Sequence, residues 1–229
     1  MTRFTSDPTL TPNPNSKVPL AAVLLIETDG PVEGWISIKN EAFKHRIPVL
    51  IDPAHSRELA VVGMRPGVEH QVKLELTGLD STPLSPIEFV YVPPMLRDNP
   101  TETPPFEIRS SQPSRMEPGF MLLSIRRRTV TRALWWTKQQ KKFAQQWSQL
   151  VALDPSGHVV WTYHHDRRIA GIAQLANGNI FFHQVNFHSF EIDMLGNVVR
   201  SWVAANRPAG PVEGAVPIDV QSMHHQPHE

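Results

Sequence analysis

Three observations predict an all-β protein, with a small β-sandwich followed by the first blades of an incomplete β-propeller. The 229 residues hold 22 prolines against 12 glycines, a balance that favours strands, turns and extended linkers over helix. Short β-rich runs recur through the first third of the chain at spacings of about 8–14 residues, with turn signals between them. The stretch from Leu150 to Trp161 then recurs from Phe190 to Trp202, with Asp154 to Asp193, Gly157 to Gly196 and Val159 to Val198 each 39 positions apart. A period near 40, made of strands that end in an Asp and Gly turn, is the mark of a propeller blade. A closed ring takes about 4 to 8 blades, and two are countable here, so the chain is expected to be the front of a larger protein.

Bulk composition removes several classes of function. Formal net charge is zero and the pI is near 7.2, so no global field draws the protein to nucleic acid or an anionic membrane. Cysteine is absent, which excludes a disulfide framework, a thiolate zinc knuckle and a thiol nucleophile. The longest apolar run, Pro19 to Ile26, is too short to span a membrane. Histidine is the outlier, with 11 in the chain and eight of them after Gly157, beside only two tyrosines.

Residues 1–16, with Pro8, Pro12 and Pro14 among Ser and Thr, predict a disordered arm with no export signal. Residues 17–93 predict the sandwich. Ala21 to Thr28 is a β-rich run closed by Asp29-Gly30-Pro31, and Gly34 to Lys39 alternates Trp35 and Ser37 with Ile36 and Ile38; the two read as a hairpin-like pair. Pro48 to Asp52, Ser56 to Val62, His70 to Leu76 and Pro86 to Val92 supply further strands. The segment Gly63 to Val72 resembles the turn into the penultimate strand of fibronectin type III domains, although an aromatic usually stands in that family where His70 is found.

Residues 94–118, rich in proline among polar residues, predict a linker along the surface, and Gly119 to Ile125 a buried strand. Thr137 to Gln149 has the composition of a helix. From there to residue 229 the blade pattern runs as hairpins across Asp154-Pro155-Ser156-Gly157, across Asn177-Gly178, and again between Asp193 and Asn197. Asp154 and Asp193 each precede a Gly by three positions, the place of a turn residue rather than a catalytic one.

The end of the chain, Ile218 to Glu229, carries three histidines and two acids. With the sandwich-like stretch, Asp154 to Trp161, Leu175 to Phe182 with its Asn-Gly-Asn turn, Phe190 to Trp202 and the adjacent His224-His225, the chain resembles the bacterial arylsulfate sulfotransferases from Pro19 onward. The resemblance implies a six-bladed propeller behind an N-terminal sandwich, and transfer of a sulfuryl group from an aryl sulfate to a phenol through a histidine intermediate. An imidazole is a competent nucleophile at neutral pH, and a covalent intermediate splits one hard transfer into two easier steps. It assigns His225, with His224 as neighbour, to the family's first active-site histidine position. The nucleophile belongs to a later blade, which makes this chain inactive alone. It suggests the periplasm as location, with no cofactor; an incomplete propeller also leaves an unpaired edge, through which self-association is expected.

Rival readings attach to the same residues. A His-His pair at a strand end faces one ring in and one out, which packing or solvation also explains. His164-His165-Asp166 reads as a loop, and His183 and His188 as histidines flanking a turn. His224, His225, His228 and Glu229 are possible zinc ligands by chemistry, but Pro227 forbids the helix that metalloprotease spacings need. Arg126 to Trp147 interleaves seven basic residues with three Trp, the composition of a single-strand binding groove; charge balance elsewhere favours a structural or rim role and no nucleic acid. A quinone-dependent dehydrogenase propeller needs recurrent Trp motifs and a calcium site, and neither is present in the sequence. A non-catalytic sandwich and propeller interaction module is the alternative to the enzyme.

Overall fold

The computed structural model describes residues 1–51, 58–98, 103–127, 137–206, 212–221 and 223. These form a nearly all-β protein of several antiparallel sheets with one α-helix and, among the described residues, no closed barrel. Contacts divide the chain into two compact units, Met1–Met121 with Ala152–Trp161, and Leu122–Val151 with Thr162–Glu229.

Two sheets share the core of the first unit. One has order β1-β2-β5, from Thr9–Pro12, Ala22–Leu25 and Glu58–Val61. The other has order β4-β3-β6-β7, from Lys44–Ile51, Val32–Lys39, His70–Gly78 and Ile87–Tyr91. Ala22, Leu24, Ile26 and Val61 from the first sheet pack with Ile36, Ile38, Val72 and Leu74 from the second. Alternation explains this. Ile36 and Ile38 turn inward with Val72, Leu74 and Leu76, while Trp35 and Lys39 turn out. Pro48 sits in β4, an edge strand, where its missing N–H costs no ladder bond.

Two expectations for this region are corrected. Residues 1–16 are ordered, because β1 pairs along its length with β2, Phe4 bridges Thr28, and the Arg3 amide and guanidinium both donate to Asp29. The runs either side of Asp29-Gly30-Pro31 do not form a hairpin. β2 has its two edges filled by β1 and β5, and the chain passes at this turn into the other sheet, where β3 lies between β4 and β6.

Where the fibronectin comparison expects an aromatic, His70 is fully buried at the start of β6. Its Nε2 accepts from the Arg65 amide at 3.2 Å and lies 3.1 Å from Asn40 Nδ2, so Nδ1–H donates to the Val68 carbonyl at 2.8 Å. The corner is thus closed by an imidazole. Arg65, held there by its backbone, sends its side chain to Asp154, with Nη2 and Nε 2.6 and 2.7 Å from Oδ2. The Asp154 side chain has no exposed surface, and its Oδ1 takes the amides of Ser156 and His158.

The repeated hairpins are built alike. Ser148–Leu153 and Val159–His165 form β9 and β10, in a sheet of order β10-β9-β8 with Met121–Arg126 as β8. Ile169–Gln174, Ile180–Gln184, His188–Ile192, Val198–Ala204 and Val216–Ile218 form β11 to β15, a sheet in chain order. β11 to β14 pair antiparallel, and β15 joins β14 in parallel. At the β13–β14 turn Asp193 Oδ1 takes the amides of Leu195 and Asn197, as Asp154 takes those two and four residues on. Gly157, Gly178 and Gly196 each have φ between 81° and 86°, a left-handed conformation that costs glycine least.

Three further differences concern local structure. The helix α1 covers only Lys138–Gln145, capped by a Thr137–Gln140 capping box, and Ser148 begins a strand because its hydroxyl donates to the Arg167 carbonyl and accepts from the Ile169 amide. β8 is an edge strand with partly exposed side chains rather than a buried one. His164 and His165 lie in β10, not in a loop.

Breaking the buried pair with Asp154→Ala is expected to cost about 3–5 kcal/mol, because Arg65 is left uncompensated. Asp193→Ala, which removes the same turn bonds without an ion pair, should cost about 1 kcal/mol. Denaturant unfolding of both variants compares them directly; equal losses would mean that Arg65 contributes nothing.

Desolvation holds both His45 and His70 below the ordinary histidine pKa, partly offset by their bonds to the Val62 and Val68 carbonyls. Unfolded histidines take protons near pH ~6.5 while these stay neutral to lower pH, so the unfolded state binds more protons. Stability is therefore expected to be full above that pH and to fall as the pH drops below it. Thermal melts from pH 7 to 5 test this, and the pH slope, not the level, should flatten in His70→Gln.

Candidate functional site

The second unit gathers histidines and aromatics on the two faces of the β11–β15 sheet. Register places Phe182, Gln184, Phe190 and His188 on one face, since Phe182 opposes Phe190 and Gln184 opposes His188. His165 and Tyr163 from β10 join them. The His165 ring stands 5.0 Å from Phe182, 5.6 Å from Phe190 and 6.0 Å from Tyr163, centroid to centroid. His165 Nε2 donates to Gln184 Oε1 at 2.7 Å, because an amide oxygen only accepts. His188 packs on Phe190 at 4.1 Å, and its buried Nε2 has no hydrogen-bond partner among the described residues. Desolvation lowers the His188 pKa, so the ring is neutral at neutral pH. Burial, helped by the charge of Asp166, pushes the Tyr163 phenol up to about 12.

The opposite face carries His183, Ser189, Phe181 and Trp202. His183 Nδ1 lies 2.7 Å from Ser189 Oγ, and Ser189 in turn donates to Met223 Sδ at 3.3 Å. A serine within reach of a histidine is the first requirement of an activated nucleophile. Here Ser189 directs its hydrogen at sulfur and is fully buried, so the pair positions the chain at Met223 rather than presenting a reactive hydroxyl. His183 and His188, expected as solvated turn residues, are instead buried strand residues, because the reversal between them takes only Val185 to Phe187, with Asn186 and Phe187 at positive φ.

Glu191 is a site residue that motif reading passed over. Its Oε1 accepts from Asn179 Nδ2 at 2.6 Å and Asn177 Nδ2 at 3.0 Å, which lowers its pKa and ties the Asn-Gly-Asn turn to β13. The 39-residue offset sets Glu191 against Ala152, so the repeat carried no signal for it; only the strand pairing that brings it beside the Asn177-Gly178 turn reveals it. Trp147, one of the three Trp weighed for a basic stacking groove against a structural role, is 4 % exposed and packs under Arg127, whose guanidinium lies 5.3 Å from its ring. A base cannot stack on it there.

The pair His224 and His225 lies outside the described residues, as do His228, Glu229, Trp135 and Trp136. Among the described residues no three His, Asp or Glu side chains come together to hold a metal ion, and no helix is long and apolar enough to cross a membrane. No protein-family model and no curated protein matches the chain.

Two of the buried histidines should respond oppositely to loss of polarity. His165→Phe strands the Gln184 carbonyl and is expected to destabilise by about 1–3 kcal/mol, whereas His188→Phe removes a nitrogen with no partner and should be neutral or stabilising. Urea unfolding midpoints of the two variants decide this, and a large loss for His188→Phe would reveal a bond to that ring.

Proposed function

We propose that the chain belongs to a sulfuryl-transfer protein of the arylsulfate sulfotransferase type, with a fibronectin-III-like β-sandwich followed by the first blades of a propeller. The observation that carries this reading is the hairpin met twice, β9-β10 and β13-β14, whose Asp-x-x-Gly turns make the same hydrogen bonds 39 residues apart. Support for the sandwich comes from the two sheets that share one core in the first unit. The parallel strand β15 is additional to the four antiparallel strands of a blade.

In the proposed reaction a histidine nitrogen attacks sulfur, the S–O bond to the aryl group breaks, and the phenolate leaves with the electron pair and takes a proton. A phenol oxygen then attacks the sulfuryl-histidine, the S–N bond breaks, and the histidine is restored as the acceptor loses its proton. His225, with His224 beside it, is assigned to donate hydrogen bonds to the sulfuryl oxygens as charge moves toward the leaving phenolate. The described histidines serve the fold itself: His165 and His183 are occupied by Gln184 and Ser189.

The second reading, a non-catalytic interaction module, is favoured by one observation: every buried histidine described in the second unit is used in packing or internal bonding, not displayed in a cleft.

The test is phenol-dependent release of nitrophenolate from 4-nitrophenyl sulfate by the product of the natural reading frame. Transfer is expected, with a loss of about 100-fold or more in His225→Ala. Absence of transfer, or full activity in that variant, would return the chain to the module reading or move the site elsewhere.

A further inference from the structure

The outer face of the β4-β3-β6-β7 sheet carries charge that the fold does not use. Three rows cross it: Pro48, Trp35 and Glu75; Arg46, Ser37, Lys73 and Glu88; and Lys44, Lys39, Gln71 and Val90. Lys73 is paired with Glu75 at 2.9 Å. Lys39, Lys44 and Arg46 have no ion pair among the described residues, and Lys39 stands directly across from Lys44. Like charges in that position destabilise a sheet, an expense that a bound anion would relieve. Edge strands often carry lysines that discourage pairing with other chains, but Lys39 lies on the inner strand β3, where no edge needs guarding.

Two further observations point to a ligand. Ser37, only 7 % exposed between Arg46 and Lys73, has a hydroxyl with no hydrogen-bond partner, at the floor of a depression of about 320 Å³ rimmed by Lys39, Lys44 and Arg46. One row away Trp35 is 46 % exposed and lines an adjoining depression, with Arg46 and Glu75 common to both. From Trp35 to Lys39 the platform spans about 14 Å, enough for a short chain of rings.

We propose that this face binds an acidic glycan, with a sugar ring stacked on Trp35 and its carboxylate or sulfate group held by Arg46, Lys44 and Lys39. The mixture of signs selects the class. Glu33, Glu75 and Glu88 stand among the cations and would repel the closely spaced phosphates of a nucleic acid, whereas they accept hydrogen bonds from sugar hydroxyls. An aromatic flanked by Arg46, Glu75 and Ser37 offers a ring face one apolar surface and its edge several hydrogen bonds. The site lies wholly in the first unit and is independent of sulfuryl transfer.

The experiment is calorimetric titration of the 229-residue chain with a galacturonate hexasaccharide, a heparin hexasaccharide, cellohexaose and an oligothymidylate. One or both acidic sugars should bind, the arm that binds identifying carboxylate or sulfate, and binding should weaken with salt. Cellohexaose should bind at least about tenfold more weakly, and Trp35→Ala and Arg46→Gln should each lower affinity about tenfold. Both changes are at surface positions, and an unchanged melting temperature verifies folding. Failure of both acidic sugars to bind, affinity unchanged in folded Trp35→Ala, or tighter binding of the oligothymidylate would overturn the proposal.

Discussion

Asp154 is asked to do two things that its counterpart 39 residues later is not. One carboxylate oxygen closes its own turn through the amides of Ser156 and His158; the other takes two bonds from Arg65, whose amide is already donated to His70. A buried carboxylate is tolerable only when its lone pairs are occupied and its charge is met. This chain of contacts, from the His70 corner through Arg65 to the turn at Asp154, places the β9–β10 tip with the first unit. The energy of the arrangement lies less in attraction than in the cost of leaving any member alone.

The same turn chemistry recurs with different tertiary duties. Asp193 caps its turn and gives its second oxygen to Asn197, at the surface. Asn177, in the third turn, caps with its oxygen and spends its amide hydrogens on Glu191, joined by Asn179. A left-handed glycine and one side-chain oxygen aimed at amides are what a tight turn requires; what the remaining atoms do depends on which strand lies beside the turn.

Histidine use follows a similar logic. An imidazole is amphipathic and can supply a donor and an acceptor at once, so it can replace an aromatic where a corner also needs two bonds, as His70 does. His165 and His188 pack against Phe182 and Phe190 as rings first. The abundance of histidine in the second half of the chain is therefore partly structural, and the sulfuryl-transfer proposal rests on the His224-His225 pair and the repeated hairpin rather than on histidine content.

Strand and turn positions were legible in the sequence because alternation and Gly-containing turns act over a few residues; Ile36 and Ile38 against Trp35 and Ser37 is the clearest case, and it also marked the face on which the glycan platform lies. Pairing partners were not legible. The N-terminal residues look disordered by composition until β2 offers them an edge, and a run such as Ala22 to Leu25 does not say whether its neighbour in sequence or a strand 35 residues on will fill its ladder. The Asp154 pair joins residues 89 positions apart, and burial of His165 and His188 depends on facing strands. The sequence by itself determined the β class, the turns and the repeat, through local backbone and side-chain preference. Only the tertiary structure decided which polar atoms were buried, because desolvation is a property of everything packed around a group and not of the group's own neighbours in the chain.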